Sequence, residues 1–275
     1  MMNDVIGFGT FPMKEVLEEI IPQTVGKGFS FVDTSDDYYN ETFVARGAAG
    51  TQLKIFTKFS LVNHVLHFDS YVEAQMKLYK EHGLKVHCYL IHWPYPFLYK
   101  KIWRRMEKLY LDGIVEEIGV CNFTVKHLQE LMKDCRVKPM YNQIELHPLF
   151  QQKEVTRFCA EKGIRVISYS PFARMDPELF ANETINKIAQ DHKTTIHNVI
   201  LKWNLQKGFI PIPSTSKASH LESMSLTNLN QIALSEQELE AIDALDKAKR
   251  VRFDPDTYFS GKTKLKLLVY SLLMR

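Results

Sequence analysis

The sequence predicts a single (β/α)8 barrel, also called a TIM barrel, and three observations lead to this prediction. Apolar runs typical of buried strands alternate with amphipathic helical segments, and eight such strand–helix units can be counted along the chain. The length of 275 residues suits one barrel, a fold that typically needs about 250 residues. No linker, low-complexity segment or internal duplication divides the chain, so residues 1–275 are expected to form one α/β domain.

The predicted elements follow one another in regular order. A short apolar run at residues 5–8 ends at Gly9 and Thr10, and residues 14–27 have helical spacing. Further strands are predicted at 29–33, 53–58, 86–92, 115–120, 139–142, 164–169 and 209–212. Helices are predicted between them at 68–81, 98–111, 124–133, 151–162 and 183–206, with two helices in the last range.

Two segments follow the last predicted strand. Ser235 is a good N-cap with Glu238 at the capping-box position, so a helix should begin there. Residues 247–275 are expected to form a loop and a tail, and from residue 261 this tail is basic and then strongly apolar. An extra C-terminal helix packed on the outside of the barrel is one interpretation of the tail. Docking on a partner protein or a membrane surface is the other.

An open, doubly wound sheet is the main alternative to a closed barrel. A dinucleotide-binding sheet of that kind has a Gly-x-Gly-x-x-Gly turn after its first strand. The corresponding residues 7–12, GFGTFP, lack the third glycine and have a proline in its place. This departure favours the barrel.

Composition excludes several classes of protein. The chain has 35 Lys and Arg against 32 Asp and Glu, and this balance is too near neutral to indicate binding of nucleic acid. No signal peptide is recognisable, and no stretch reaches the length of about 18 apolar residues that spans a bilayer. Cys88, Cys121, Cys135 and Cys159 show no CxxC or metal-ligand spacing. We therefore expect reduced thiols, a cytoplasmic location and no bound metal.

Four polar residues, Asp33, Tyr38, Lys58 and His92, follow three of the predicted strands. Each alone could be a helix cap, a solvated side chain or a packed core residue, but a parallel barrel would bring all four to one mouth. A phenol with a pKa of about 10 releases its proton reluctantly, and the ammonium of Lys58 would lower the pKa of Tyr38. Asp33 would hold Lys58 in place, and His92 would orient a substrate oxygen. The set predicts a carbonyl reductase in which Tyr38 is the acid.

Seven segments resemble the aldo-keto reductases, a family of (β/α)8 barrels that use NADPH or NADH without metal or flavin. The matching segments are residues 7–11, 33–41, 57–58, 90–94, 118–123, 141–148 and 168–171. The likeness extends over about residues 5–257, and its best local match is to bacterial 2,5-diketo-D-gluconate reductases. It implies an enzyme that reduces aldehydes or ketones, sugar-derived ones among them, with NADPH as cofactor and NADH as an alternative. We also expect the protein to be a monomer.

The resemblance also implies contacts with the nicotinamide half of the cofactor. The implied contacts are Asn122, Gln143 and Cys121 for the carboxamide, Tyr169 for the ring, Thr10 and Asp33 for the ribose, and Ser170 for the pyrophosphate. Many members have serine at the position of Cys121, so a thiol here replaces a hydroxyl hydrogen bond.

The loop that follows Ile212 and Pro213 departs from the family pattern. Many members carry a lysine and an arginine for the adenosine 2′-phosphate where this chain has a serine and a histidine. The remaining candidates for that phosphate are Ser214, Thr215, Ser216, Lys217 and His220. This loop is therefore expected to discriminate less strongly against NADH.

Substrate contacts are implied for Phe11, Tyr38, His92 and Trp93, with Tyr39 as a further member of an aromatic wall. Three departures from typical members bear on the architecture and the substrate. The N-terminal β-hairpin that plugs the barrel is expected to be missing, the second helix must be short, and the C-terminal segment shows no obvious aromatic substrate loop.

Two other functions remain as alternatives to the reductase. One is a regulatory subunit of the same fold that binds NADP(H) and reports redox state with little turnover, as potassium-channel β subunits do. The tail from residue 262 onward keeps this possibility open. The other is a metal-dependent hydrolase, which ranks last because the sequence has no HxH strand motif and no clustered carboxylates.

Overall fold

The computed structural model describes residues 5–60 and 62–274, and its centre is a sheet of eight parallel strands in chain order. The strands are β1 (Ile6–Gly9), β2 (Phe29–Asp33), β3 (Lys54–Phe59), β4 (Val86–Ile91), β5 (Glu117–Cys121), β6 (Tyr141–Glu145), β7 (Arg165–Tyr169) and β8 (Ile210–Pro211). The first and last strands approach each other closely, and the Gly9 amide donates to the Pro213 carbonyl at 2.9 Å. The predicted (β/α)8 barrel is confirmed, with all eight strands within a few residues of their predicted positions.

Helices connect the strands and surround the barrel. They are α1 (Leu17–Ile20), α2 (Glu41–Ala48), α3 (Phe68–Glu81), α4 (Tyr99–Leu111), α5 (Val125–Met132), α6 (Lys153–Lys162), α7 (Pro177–Phe180), α8 (Glu183–Asp191), α9 (Ile196–Gln206), α10 (Ala218–Ser223), α11 (Leu226–Leu229), α12 (Glu236–Asp243) and α13 (Gly261–Leu273). The second helix is short, as expected, and the predicted range 183–206 does contain two helices. At α12 the predicted capping box is present, because the Ser235 amide donates to the Glu238 carboxylate at 2.7 Å and the Ser235 hydroxyl accepts from the Glu238 amide.

The long helix predicted at 14–27 is wrong. The segment contains only the single turn α1 and a 3-10 turn at Pro22–Thr24. Pro22 cannot donate a backbone hydrogen bond and its ring clashes with a continuing α-helix. Gly26 and Gly28 then adopt positive φ angles of 78° and 88°, a conformation that ends helical structure. Apolar periodicity alone therefore overestimated this element.

Two apolar cores hold the barrel and its helices together. The inner core fills the barrel, where the rings of Phe31 and Phe56 stack at 4.1 Å between centroids. The outer core lies between the strands and the helices and includes the fully buried Trp103 and Trp203. The hydrophobic effect is the main stabilising term of such cores, at about 25 cal/mol for each Å² of apolar surface removed from water. A rigid barrel therefore supports the loops at its C-terminal mouth.

The opposite, N-terminal end of the barrel is covered by polar side chains. The Tyr141 hydroxyl donates to Glu117 at 2.8 Å, and the guanidinium of Arg165 lies over the Tyr141 ring at 5.1 Å. In the described ranges no strand precedes Ile6. The predicted absence of the N-terminal hairpin also concerns residues 1–4, which lie outside the described residues.

The C-terminal helix α13 packs beside α4, as one of the two interpretations of the tail predicts. Leu267 and Met274 are buried, Lys101 donates to the Met274 carbonyl at 2.9 Å, and the Ser271 hydroxyl donates to the Phe97 carbonyl at the same distance. The helix also leaves apolar side chains exposed, namely Leu265, Leu268, Val269, Leu272 and Leu273. Within the described ranges, no helix is both long enough and apolar enough to cross a membrane.

Candidate active site

Asp33, Tyr38 and Lys58 meet at the C-terminal mouth of the barrel. Asp33 ends β2, Tyr38 lies in the short 3-10 turn Asp36–Tyr38 that follows, and Lys58 lies near the end of β3. The Lys58 ammonium donates to the Asp33 carboxylate at 2.7 Å and lies 3.4 Å from the Tyr38 hydroxyl. A third bond goes to the Thr34 carbonyl at 2.7 Å. The fully buried Lys58 thus connects the carboxylate to the phenol.

The protonation states of this trio follow from burial and from the ion pair. Burial by itself lowers the pKa of Lys58, but the Asp33 carboxylate outweighs it and holds that pKa above its ordinary value. Burial raises the pKa of Tyr38, and the nearby Lys58 only partly offsets this. Lys58 does act in the expected direction on the pKa of Tyr38, but burial has the larger effect and the pKa stays above its ordinary value. Tyr38 stays protonated at neutral pH, which is the state of a proton donor.

His92 joins the trio through the loop that follows β4. Its ring lies 5.8 Å from the Tyr38 ring, and its Nδ1 contacts the hydroxyls of Ser35, at 3.1 Å, and Ser60. Nδ1 is also 3.3 Å from the carboxylate of Asp37. All of these contacts are made by Nδ1. The opposite ring nitrogen, Nε2, has no protein hydrogen-bond partner among the described residues. The four predicted catalytic side chains are thus brought together.

Asp36 and Asp37 are acidic residues of this site to which the sequence assigned no role. Both oxygens of Asp36 accept from the Ser60 amide at 3.0 Å, which fixes the 3-10 turn against the end of β3. Burial raises the pKa of Asp37, but the adjacent His92 imidazole outweighs it and holds the pKa at about 2. Asp37 therefore faces His92 as a carboxylate at neutral pH. Their place directly before Tyr38 was the only signal available in the sequence.

The residues predicted to bind nicotinamide surround the same mouth, with one exception. Asn122 adopts a positive φ of 63° at the end of β5, a conformation that asparagine tolerates better than most residues. Its amide donates to the His92 carbonyl at 3.0 Å and accepts from the Tyr169 hydroxyl at 2.7 Å. Gln143 donates to Asp33 at 2.6 Å. Cys121 is the exception, because it is fully buried in the inner core and does not line the cavity.

Thr10 and Ser170 complete this group. The Thr10 hydroxyl donates to the Asp33 carbonyl at 2.9 Å and so ties the loop after β1 to the end of β2. Ser170 follows β7 with a positive φ of 49°. Among the described residues, no three His, Cys, Asp or Glu side chains form a group that could hold a metal ion.

The loop predicted to read the 2′-phosphate lies at the edge of the site. Ser214 lines the cavity, whereas Ser216, Lys217 and His220 are exposed around the start of α10. The Thr215 hydroxyl accepts from the Lys217 amide at 3.1 Å and lies 3.1 Å from a His220 ring nitrogen. The five residues thus form one folded loop, and their contact with a phosphate stays a prediction.

A cavity of about 380 Å³ lies among these residues. Phe11 and Trp93 form part of its wall, as predicted, and the Phe11 ring is 5.0 Å from the Tyr38 ring. Tyr39 is largely exposed and does not line the cavity. Burial raises the pKa of Tyr169, whose side chain lies on the opposite wall.

The C-terminal segment, which showed no obvious aromatic substrate loop in the sequence, does bring aromatic side chains next to Trp93 on the cavity wall. The Tyr258 ring stacks on Trp93 with centroids 4.2 Å apart, and Phe253 packs against Tyr258 at 5.2 Å. Arg252 lines the cavity directly. These residues were missed because they belong to no strand–helix unit, and their place depends on contacts with distant parts of the chain.

The loop after β7 contributes another group that the sequence did not indicate. Phe172, Arg174 and Met175 line the cavity. Arg174 and Met175 have positive φ angles of 55° and 63°, as does Ala173 at 47°. Such angles are rare for residues with a side chain and are often found at functional sites. The strain is therefore concentrated beside the cavity.

Sequence comparison agrees with this geometry. A model of the Aldo/keto reductase family matches residues 5–247, which is most of the chain. The glyoxal reductase of Bacillus subtilis (strain 168) is 35% identical over 256 residues, and the match covers 91% of each protein. The methylglyoxal reductase DkgA of Yersinia pestis is 34% identical over 251 residues, which cover 89% of each.

Solved structures give the same result. MGS-M4, an aldo-keto reductase from a Medee basin deep-sea metagenome library, matches with a TM-score of 0.84 and 26% identity over 94% of this chain and 96% of that one. A variant of Gox0644 in complex with NADPH matches with a TM-score of 0.83 and 30% identity over 92% and 93% of the two chains. The chain therefore belongs to the aldo/keto reductase family and is a carbonyl-reducing enzyme.

Proposed function

We propose that the enzyme reduces a small aldehyde or ketone to the alcohol, with NADPH as reductant and Tyr38 as proton donor. The observation that carries this proposal is the buried ammonium of Lys58, which contacts both the Asp33 carboxylate and the Tyr38 hydroxyl beside the cavity. The family match and the NADPH complex of the Gox0644 variant support the choice of reductant.

The cavity offers suitable groups for such a cofactor. The side-chain carbonyl of Gln143 has no hydrogen-bond partner among the described residues and suits a carboxamide N–H. The hydroxyls of Ser170 and Ser214 and the guanidinium of Arg174 line the same cavity and suit phosphate oxygens. Bound there, NADPH supplies a hydride to the carbonyl carbon.

The protein side chains supply the proton and hold the carbonyl in place. Tyr38 gives its hydroxyl proton to the carbonyl oxygen, so that the C=O double bond becomes a C–OH single bond. The ammonium of Lys58 stabilises the phenolate that remains, and Asp33 keeps Lys58 charged and in position. His92 contributes Nε2 as a hydrogen-bond partner for the substrate oxygen. General acid catalysis of this kind typically contributes about 10²–10⁴-fold in rate.

Substrates of this enzyme are expected among small carbonyl compounds. Two relatives are a glyoxal reductase and a methylglyoxal reductase, and the cavity of about 380 Å³ with aromatic walls at Phe11 and Trp93 suits molecules of that size or larger. Sugar-derived aldehydes and ketones form the wider class that the cavity could admit. Glyoxal and methylglyoxal are the first compounds to assay, with open-chain and cyclic sugars as comparison.

The test is the loss of absorbance of reduced nicotinamide with a panel of carbonyl compounds, run separately with NADPH and NADH. We expect turnover with at least one small aldehyde. Tight NADPH binding without turnover of any carbonyl compound would contradict the proposal and would favour a redox-sensing regulatory subunit. Binding is measured separately by quenching of intrinsic fluorescence.

The assembly and the compartment belong to the same proposal. All four catalytic side chains come from one chain, which suits a monomer, and sedimentation equilibrium would measure this. The four unpaired cysteines suit a reducing compartment such as the cytoplasm. Docking of α13 on a partner or membrane surface stays a prediction, which vesicle flotation with and without the tail would test.

A further inference from the structure

Arg252 occupies a fixed position at the mouth of the cavity. The backbone amides of Val251 and Arg252 donate to the two oxygens of Glu145, at 2.6 Å and 3.0 Å. Glu145 is fully buried at the end of β6, so its carboxylate is part of the rigid barrel. The C-terminal segment is thereby attached at the point where it places the Arg252 side chain on the cavity wall.

The guanidinium of Arg252 is held by aromatic rings and not by an acidic residue. Its central carbon lies 5.3 Å from the centre of the Phe11 ring and 5.8 Å from that of Phe253, distances typical of cation–π contacts. In the part of the chain that the structure describes, no carboxylate lies within ion-pair distance of it. Its hydrogen-bond donors are therefore free for a ligand in the cavity.

The arginine lies close to the reacting end of the cavity. Phe11 is a common neighbour of Arg252 and Tyr38, because its ring centre lies 5.3 Å from the guanidinium carbon and 5.0 Å from the centre of the Tyr38 ring. The carboxylate of Asp33 pairs with Lys58, and an oxygen of Asp37 lies 3.3 Å from Nδ1 of His92. Arg252 therefore brings a positive charge to the cavity wall next to Phe11.

We propose that Arg252 is a substrate-binding residue that selects carbonyl compounds carrying a carboxylate, with the aldehyde or ketone at Tyr38 and the carboxylate at the guanidinium. A guanidinium can bind a carboxylate through two parallel hydrogen bonds. This inference rests on the proposed function and adds the chemical class of the substrate to it.

Arg174 provides a matched comparison inside the same cavity. It also lines the cavity, but it belongs to the loop that starts at Ser170, which is the predicted pyrophosphate side. Arg252 instead contacts Phe11 beside Tyr38. If both arginines served the cofactor, their removal would weaken NADPH binding alike. If Arg252 serves the substrate, only the loss of Arg174 affects NADPH.

The experiment compares 4-oxobutanoate with its methyl ester, which carry the same aldehyde with and without the charge. For the wild type we expect kcat/KM to be at least about tenfold higher for the acid, the effect of one charge-assisted hydrogen bond. Arg252→Gln should reduce this acid-to-ester ratio to near one, mainly through KM for the acid. Arg252→Lys should keep part of the ratio, because it retains the charge but not the paired donors. Arg174→Gln should weaken NADPH binding and leave the ratio in place.

Three results would overturn the inference. One is an acid-to-ester ratio of kcat/KM near one in the wild type, a result that does not depend on whether any variant folds. Another is an equal loss for acid and ester in Arg252→Gln. The third is a loss of NADPH affinity in Arg252→Gln that equals the loss in Arg174→Gln. If neither aldehyde consumes NADPH, the wider panel of carbonyl compounds tests the proposed function separately, and calorimetric binding of the acid and the ester to the wild type and to Arg252→Gln then decides the role of Arg252.

Discussion

Replacing Lys58 with methionine separates the two roles of the buried ion pair, stability and catalysis. Lys58 is completely buried and Asp33 is nearly so, with exposed side-chain fractions of 0% and 3%. Methionine fills a similar volume but removes the donor that lies 2.7 Å from the Asp33 carboxylate. The substitution leaves a buried carboxylate whose remaining side-chain donor is Gln143, at 2.6 Å.

The loss of one partner from a buried ion pair typically costs about 3–5 kcal/mol. We expect Lys58→Met to lower the free energy of unfolding, measured in urea at neutral pH, by an amount in this range. Turnover should fall by at least about 100-fold, because Tyr38 loses the ammonium that stabilises its phenolate. In the double variant Asp33→Asn, Lys58→Met the buried charge is gone, so about 2 kcal/mol or more of the stability should return. Its activity should not.

Lys207→Met is the matched control on the protein surface. The ammonium of Lys207 lies 2.7 Å from Asp243, the same distance as in the buried pair, but the two side chains are 36% and 25% exposed. Solvent screens such a pair, so its loss should cost no more than about 1 kcal/mol. Equal costs for Lys58→Met and Lys207→Met, or a double variant as unstable as Lys58→Met, would refute the argument that desolvation makes the buried pair costly to break.

The other predictions concern single side chains of the site. Tyr38→Phe should lower kcat at least about 100-fold with cofactor binding nearly unchanged, and near-normal turnover would remove Tyr38 from the mechanism. Lys217→Ala should weaken NADPH binding, measured by fluorescence quenching, and spare NADH; equal losses would show that Lys217 does not read the 2′-phosphate. Because the pKa of Asp37 is held at about 2, below its ordinary value, the carboxylate stabilises the fold at neutral pH, and this contribution is lost as the pH falls from about 4 through 2. Asp37→Asn should therefore be less stable than the wild type at neutral pH but not at pH 2, and a constant difference across that range would contradict the pairing with His92.

The barrel and the grouping of the four candidate catalytic side chains at its mouth could be predicted from the sequence because the repeated strand–helix pattern fixes them locally. Asp33 and Lys58 lie at or near strand ends, and the parallel topology alone brings strand ends together. Arg252 could not be found in this way. Its position depends on hydrogen bonds to Glu145, which is more than a hundred residues earlier in the chain, and no local pattern indicates such a contact. The error at residues 14–27 has a different cause, because Pro22 overrides an apolar spacing that is otherwise helical.

The amide of Asn122 has a consequence for the order in which ligands bind. One end of it donates to the His92 carbonyl and the other accepts from the Tyr169 hydroxyl. A carboxamide N–H that approaches the Asn122 oxygen along the direction now taken by the Tyr169 hydroxyl displaces that hydroxyl, and the Tyr169 ring can then turn towards the bound carboxamide. The same amide also holds the loop of His92 through the His92 carbonyl. The His92 ring is therefore expected to reach its final position for the substrate oxygen only after this exchange. We therefore expect an ordered mechanism in which the dinucleotide enters first and leaves last. Product inhibition by NADP+ should then be competitive towards NADPH alone, and a random pattern would show that the two sides of the mouth act independently.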